Sequence, residues 1–308
     1  MKLYIKETYI ALLGLFFTIV CTAQQDPGYT QYMYNAMTVN SAYAGSTGAL
    51  EAVLLHRSQW TGIDGAPETQ AFTIHSPLRN ENVGLGLSIV NDKLGPSREL
   101  YMDANFSYTI ALSQRTKLAF GLKAGARMMN IDWTKGQYYD PVDALLNNNI
   151  DNKINPSLGA GLFLHTEKWY LGTSVPSFIR GDYYDDIQES VVSERLHYYL
   201  IGGYVFDLSD NLKFKPAFLA KAVSGAPITY DISANFLIQE KFTVGASHRW
   251  DDSVSALFGF QISNNFFIGY AFDYSVTELN KYNDGSHEFI LRYQLQKSPK
   301  QIKSPRFF

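Results

Sequence analysis

The sequence predicts an all-β fold: a transmembrane antiparallel β-barrel of about 14 strands, preceded by a periplasmic, plug-like segment. Three observations carry this. Of 308 residues, 15% are aromatic and only 18% charged, with 21 Tyr, 20 Phe and 23 Gly, a balance that favours strands over helical bundles. Apolar and polar residues alternate strictly through long runs, the period of a sheet with two unlike faces. The runs reach thirteen residues, as in Arg98–Ile110, whereas a tilted strand needs roughly 9–11 to cross a bilayer and a globular strand averages about 5–6. A soluble sandwich would alternate too; strand length and an even strand count favour the membrane barrel. The net charge of −3 supplies no strong field for nucleic acid.

Residues 1–23 read as a secretory signal peptide, with Lys2 and Lys6, an apolar stretch Tyr9–Val20, and a small residue, Ala23, at the cleavage position. Cys21 follows Val20, where a lipoprotein would need a small residue. It is the only cysteine, so the mature chain is expected to hold no disulfide and no thiolate chemistry. Residues 24–48 (QQDPGYTQYMYNAMTVNSAYAGSTG) are too aromatic for a plain linker and too irregular for a strand. They are the candidate plug.

Residues 49–295 hold fourteen candidate strands: Leu50–Trp60, Thr69–Ser76, Val83–Val90, Arg98–Ile110, Lys117–Met128, Pro156–Thr166, Trp169–Val175, Arg195–Phe206, Leu212–Ala222, Ile228–Ile238, Lys241–Trp250, Ser253–Ile262, Asn265–Tyr274 and Ser286–Leu295. Connections after the fourth, sixth, eighth, tenth and twelfth are tight. Several after odd strands are long, notably Ile131–Asn155, Pro176–Glu194 and Ser275–Gly285. Outer-membrane barrels put short turns in the periplasm and long loops outside, which places both termini in the periplasm.

The apolar face is expected to meet lipid, with Tyr108, Trp169, Tyr204, Tyr270, Tyr274 and Tyr293 in aromatic girdles. The opposite face carries Glu99, Asp103, Lys117, Lys123, Arg127, Lys213, Lys215, Lys221, Asp231, Arg249, Asp273, Glu288 and Arg292. Both signs occur, which suits an ion-pair network better than a one-signed selective pore. Glycines such as Gly84, Gly86, Gly121, Gly161, Gly259 and Gly269 share this face and leave room for something inside.

Catalytic and metal motifs are missing. The six His show no metal spacing, and neither a nucleophile elbow nor a phosphate loop occurs. His56 and Ser58 flank Arg57 and share a strand face, which admits a lipid-facing hydrolase; a polar cluster at the rim is the plainer reading. The Asn-rich stretch 147–155 lacks the regular acidic spacing of a calcium loop and is expected to be a solvated loop. No catalytic residue, cofactor or metal is expected. Residues 296–308 (QKSPKQIKSPRFF) form a basic tail in which Ser-Pro steps disfavour helix. Lys300, Lys303 and Arg306 could meet an acidic periplasmic partner, with Phe307 and Phe308 as apolar anchors; the alternative is a solvated tail.

The stretches NSAYAG at 40–45, LHRSQWTGIDGAPETQAFTIHSPL at 55–78, GLGLSIVNDKLGPS at 84–97, YVFDLSDNLKFKPAFLAKAVSGAP at 204–227, SHEFILRY at 286–293 and the terminal IKSPRFF resemble the PorP/SprF family of outer-membrane proteins of type IX secretion and gliding motility. The resemblance implies an integral outer-membrane, non-enzymatic accessory that supports export or surface anchoring of large adhesin-like cargo. Implied partners are a secreted adhesin-like protein or its C-terminal signal domain, the type IX translocon, periplasmic ring and motor components, and outer-membrane lipid. His56, Arg57, Ser58, Gln59, Trp60, Gly65, Pro67 and His75 stand at signature positions of unassigned role. Ser41 replaces the proline usual in the family. The alternative function is a channel or transporter for small or apolar solutes.

Overall fold

The computed structural model describes residues 27–135, 149–179, 196–223 and 226–295. Fourteen strands follow one another: β1 (Leu50–Ser58), β2 (Glu68–Pro77), β3 (Val83–Leu94), β4 (Ser97–Ala111), β5 (Lys117–Ile131), β6 (Ile150–His165), β7 (Trp169–Val175), β8 (His197–Tyr204, resumed as Phe206–Ser209), β9 (Leu212–Val223), β10 (Thr229–Ile238), β11 (Phe242–Arg249), β12 (Ser253–Gln261), β13 (Phe266–Ser275) and β14 (Ser286–Leu295). Each pairs antiparallel with its neighbours in sequence, and β1 also pairs with β14 from Leu50↔Leu295 to Ser58↔His287. The sheet therefore closes and leaves no edge, the condition for a strand wall in hydrocarbon. The break in β8 falls at Val205, whose N–H turns to the carbonyl of Lys168 at 2.7 Å, and the register against β9 slips between Leu212 and Lys213. No helix among the described residues is long and apolar enough to cross a membrane.

Burial is inverted relative to a water-soluble protein. Leu122 is 62% exposed and Ile232 59%, while Lys215 and Glu288 are fully buried. The alternation read in the sequence thus separates an apolar outer face from a polar lumen. Outward rings form a girdle near the short-turn rim, with centroids 4.4 Å apart for Tyr204–Phe206, 4.8 Å for Phe214–Phe236, 5.0 Å for Phe242–Phe260 and 4.8 Å for Phe266–Tyr293.

Two connections differ from expectation. β6 begins at Ile150, not Pro156, because β5 runs on to Ile131 and a register shift lets Ile150 pair with it. Much of the Asn-rich stretch is therefore strand, and Asn152 takes the left-handed conformation (φ 50°) that asparagine tolerates better than most residues. The β3–β4 connection shrinks to Gly95 and Pro96, because Leu94 already pairs with Ser97.

Residues 29–49 lie inside the barrel. Tyr32, Met33, Tyr34, Met37, Ala42 and Tyr43 are each at most 4% exposed. The chain advances by three single 3-10 turns, Tyr32–Tyr34, Ala36–Thr38 and Ser41–Tyr43, short pieces of the kind used as connectors. Asn40 caps the third through its side chain, which accepts from Ala42 N at 3.0 Å.

Candidate functional site

The inner segment is held differently at its two ends. Near the long-loop rim, β1, β13 and β14 each place one charged side chain inward: Arg57, Asp273 and Glu288. Their side chains are 3%, 2% and 0% exposed, and Arg57 bridges the other two at 2.7 and 3.2 Å. The Glu288 carboxylate accepts from Thr30 N at 2.9 Å and Gln31 N at 2.8 Å. Thr30 Oγ1 donates to Asp273 at 2.8 Å and accepts from Arg57 at 3.0 Å. Beside this cluster Arg249 pairs with Asp231 and Asp252 at 3.0 and 3.1 Å and donates to the carbonyl of Tyr29. Buried charges need such partners, and breaking one pair strands the other charge.

Midway along the lumen, Thr73 Oγ1 donates to the Asn35 side chain and Ser174 Oγ to Val39 O, at 2.8 and 2.6 Å. Two buried cations face aromatic rings: Lys215 lies 6.0 Å from Tyr34 and 5.6 Å from Tyr170, and Arg292 lies 5.0 Å from Phe267.

At the short-turn rim the seat is steric. A Cβ on Gly121 would overlap Ala42 N, and one on Gly84 would overlap Ala44 O. Only a residue without a side chain lets the wall approach the segment's backbone this closely. Asn40 Nδ2 donates to Leu162 O at 3.0 Å, and Ser107 Oγ to Ala44 O at 2.6 Å. His75 accepts from Gly45 N at 3.3 Å, meets the Tyr43 ring edge-on and lies 3.4 Å from Glu51.

The signature positions divide by face. Arg57 and His75 point inward, one to each end of the segment. His56 and Ser58 point outward and bond each other at 3.1 Å. Gln59 and Pro67 close the first loop through a 2.9 Å backbone bond. Trp60, at φ 49°, donates its N–H to Ser286 Oγ at 3.1 Å. Gly65, at φ 75°, accepts from Gly95 N at 2.8 Å, tying that loop to the β3–β4 turn. Lys300, Lys303, Arg306, Phe307 and Phe308 lie outside the described residues, as do the signal stretch and the start of the 24–48 segment. The sequence reading made that segment a periplasmic, plug-like one; in the structure its later part, from Asn40, sits at the short-turn rim, and Tyr29–Gln31 reach the opposite end, where their bonding partners are. Sequence reasoning missed Thr30, Gln31, Asn35 and Asn40; their density of side-chain donors and acceptors in an otherwise apolar stretch was the available signal. Among the described residues no group of three or more His, Cys, Asp or Glu could hold a metal ion.

A closed antiparallel barrel, apolar outside and charged within, defines the class of outer-membrane β-barrels. The chain belongs to the PorP/SprF family of type IX secretion system membrane proteins, whose family model matches residues 21–293. No curated protein matches it. Among solved structures it is similar to the toluene transporter TodX of P. putida (9% identity, 85% of this chain and 94% of that one, TM-score 0.49). It is similar also to a FadL homologue of Pseudomonas aeruginosa (12%, 88% and 94%, 0.45) and to Omp33 of Acinetobacter baumannii (9%, 81% and 100%, 0.45).

Proposed function

We propose that this protein is a non-enzymatic outer-membrane component of type IX secretion, whose barrel supports export or surface anchoring of large adhesin-like cargo without passing it through its own lumen. One observation carries the reading: residues 29–49 occupy the lumen and are bonded to its wall at both ends. A cargo polypeptide would have to expel that segment and break a buried charge cluster, so the segment acts as a plug and the barrel as a platform. The basic tail, carrying Lys300, Lys303, Arg306, Phe307 and Phe308, extends the platform toward an acidic periplasmic partner of the secretion machinery.

Planar-bilayer recordings test the plug. The intact protein is expected to give no steady conductance, and removal of residues 30–44 is expected to open one. A steady pore in the intact protein would favour the small-solute transporter instead. Deleting Ser304–Phe308 is expected to leave the barrel folded and heat-modifiable on a gel while reducing cargo on the cell surface. Normal display after that deletion would refute the docking tail.

A further inference from the structure

The outer wall is not evenly convex. A groove of about 970 Å³ crosses seven adjacent strands, β11–β14 and β1–β3, within the range of small-molecule sites, roughly 300–1,000 Å³. Its floor follows one paired row of inward-facing residues: Thr243, Gly259, Gly269, Ile290, Leu55 and Ala71. Two neighbours in that row, Gly259 and Gly269, are glycines, and the wall there lies close to the inner segment: a Cβ on Gly269 would already overlap the Gln31 side chain. The groove walls are outward side chains, among them Leu54, Phe72, Phe258, Ile268, Phe289 and Leu291. Strands in such barrels tilt by roughly 35–45°. The row therefore climbs from the short-turn rim at β11 to the long-loop rim at β2.

The polarity of the groove is lopsided. His56, Gln70 and Asn91 lie together at the upper end, on β1–β3. Asn91 Nδ2 donates to Gln70 Oε1 at 3.1 Å, and Gln70 Nε2 to the Glu68 carboxylate at 2.8 Å. Arg98 Nε donates to Asn91 Oδ1 at 2.8 Å, and exposed Lys93 is the strand partner of Arg98. Arg98 and Lys93 border that end without lining it, and Glu68 is the other strand partner of Lys93, so the border carries two cations against one carboxylate; with apolar side chains along the rest, the slot is amphipathic. Its upper end is at the long-loop rim, the side that outer-membrane barrels turn outward. Six interstrand spacings make it roughly 25–30 Å across, wider than one hydrocarbon chain requires.

We propose that this groove binds one phosphorylated, multiply acylated glycolipid of the outer leaflet. Its chains lie along the apolar row, its phosphate meets Arg98 and Lys93, and its sugar hydroxyls meet Asn91, Gln70 and His56. The test uses the delipidated full-length protein in detergent, with bisphosphorylated lipid A as probe and native mass spectrometry as readout. One lipid A per barrel is expected to persist after mild activation. Ile268→Trp, which fills the slot from its outward face, and the pair Arg98→Ala with Lys93→Ala, which leaves the slot intact, are each expected to weaken retention roughly tenfold, about 1.4 kcal/mol. Heat-modifiability confirms that both variants are folded, and two independent variants guard against one failing to assemble. Retention unchanged in both variants would mean an annular lipid without a site and would overturn the proposal. So would equal retention of phosphatidylglycerol or of dephosphorylated lipid A, or a dimer peak in place of a lipid adduct.

Discussion

The two ends of the inner segment rest on opposite principles. At the long-loop rim Thr30 and Gln31 are held by charge: Glu288, Asp273 and Arg57 meet them from three strands, and the backbone N–H groups end on a carboxylate. At the short-turn rim residues 40–45 are held by shape, through glycines that let the wall touch backbone and through neutral hydrogen bonds from Asn40 and Ser107. A charged grip depends on every member, because each loss leaves another buried charge unmatched. A steric seat depends on space and tolerates loss of any one neutral bond, worth roughly 0.5–1.5 kcal/mol. The contrast makes the long-loop end the place where the segment can be released by a single event, and the short-turn end the fixed anchor beside β1.

The largest effect is expected from Glu288→Ala. It removes the acceptor for two backbone N–H groups and unbalances Arg57, a loss of roughly 3–5 kcal/mol for breaking one partner of a buried pair. Denaturant unfolding in detergent measures the stability, and bilayer recordings should show intermittent conductance as the freed end leaves the lumen. A loss under about 1 kcal/mol would mean that the cluster is solvated and that the contrast between the two ends is false.

Next comes the wall itself. Leu122 and Gly121 are successive residues of β5, one facing lipid and one facing the segment. Leu122→Arg should destabilise by roughly 2–4 kcal/mol if it sits at mid-bilayer. Gly121→Ala should cost roughly 1–3 kcal/mol by overpacking, because its Cβ would meet backbone at Ala42 that cannot rotate away. Gly86→Ala sharpens the point: its Cβ would meet the flexible end of Met37 first, so its loss should be the smaller of the two. Equal losses at Gly86 and Gly121, measured by the same unfolding transitions, would show that the seat is soft.

How much of this could be read from the sequence follows from the same physics. Lipid outside and a filled lumen inside force each strand to carry two unlike faces, so periodicity located all fourteen strands and put Asp273, Glu288, Arg249 and Lys215 on the inward one. It failed at Ile150–Asn155, where asparagines obscure the alternation of a strand that begins before Pro156. The inner segment has no period, so only its composition was visible. Its partners lie far along the chain, Glu288 being 258 residues from Thr30, and nothing local to either residue announces the other. In the block at 55–78 the outward pair His56 and Ser58 drew attention as possible chemistry. Arg57 between them was legible as a charge but not as the centre of a grip.

The smallest effect, and the only stabilising one, is expected at the steric end. Ser41 opens the 3-10 turn Ser41–Tyr43, and Asn40 before it is extended, at φ −139° and ψ 107°. Proline pre-sets the φ of a first helical position, where an N–H has no intrahelical partner, and it pushes the preceding residue toward extended backbone. Asn40 already has that conformation, and the turn bonds run from Tyr43 N to Asn40 O and from Ala44 N to Ser41 O, so neither uses the Ser41 N–H. Ser41→Pro should therefore stabilise by about 0.4–1 kcal/mol, chiefly by restricting the unfolded chain. Raised unfolding midpoints with unchanged bilayer silence would confirm that this end is pre-formed. A destabilised barrel would show instead that the buried Ser41 needs its hydroxyl or its N–H, and that the anchor is held by polar bonds rather than by shape.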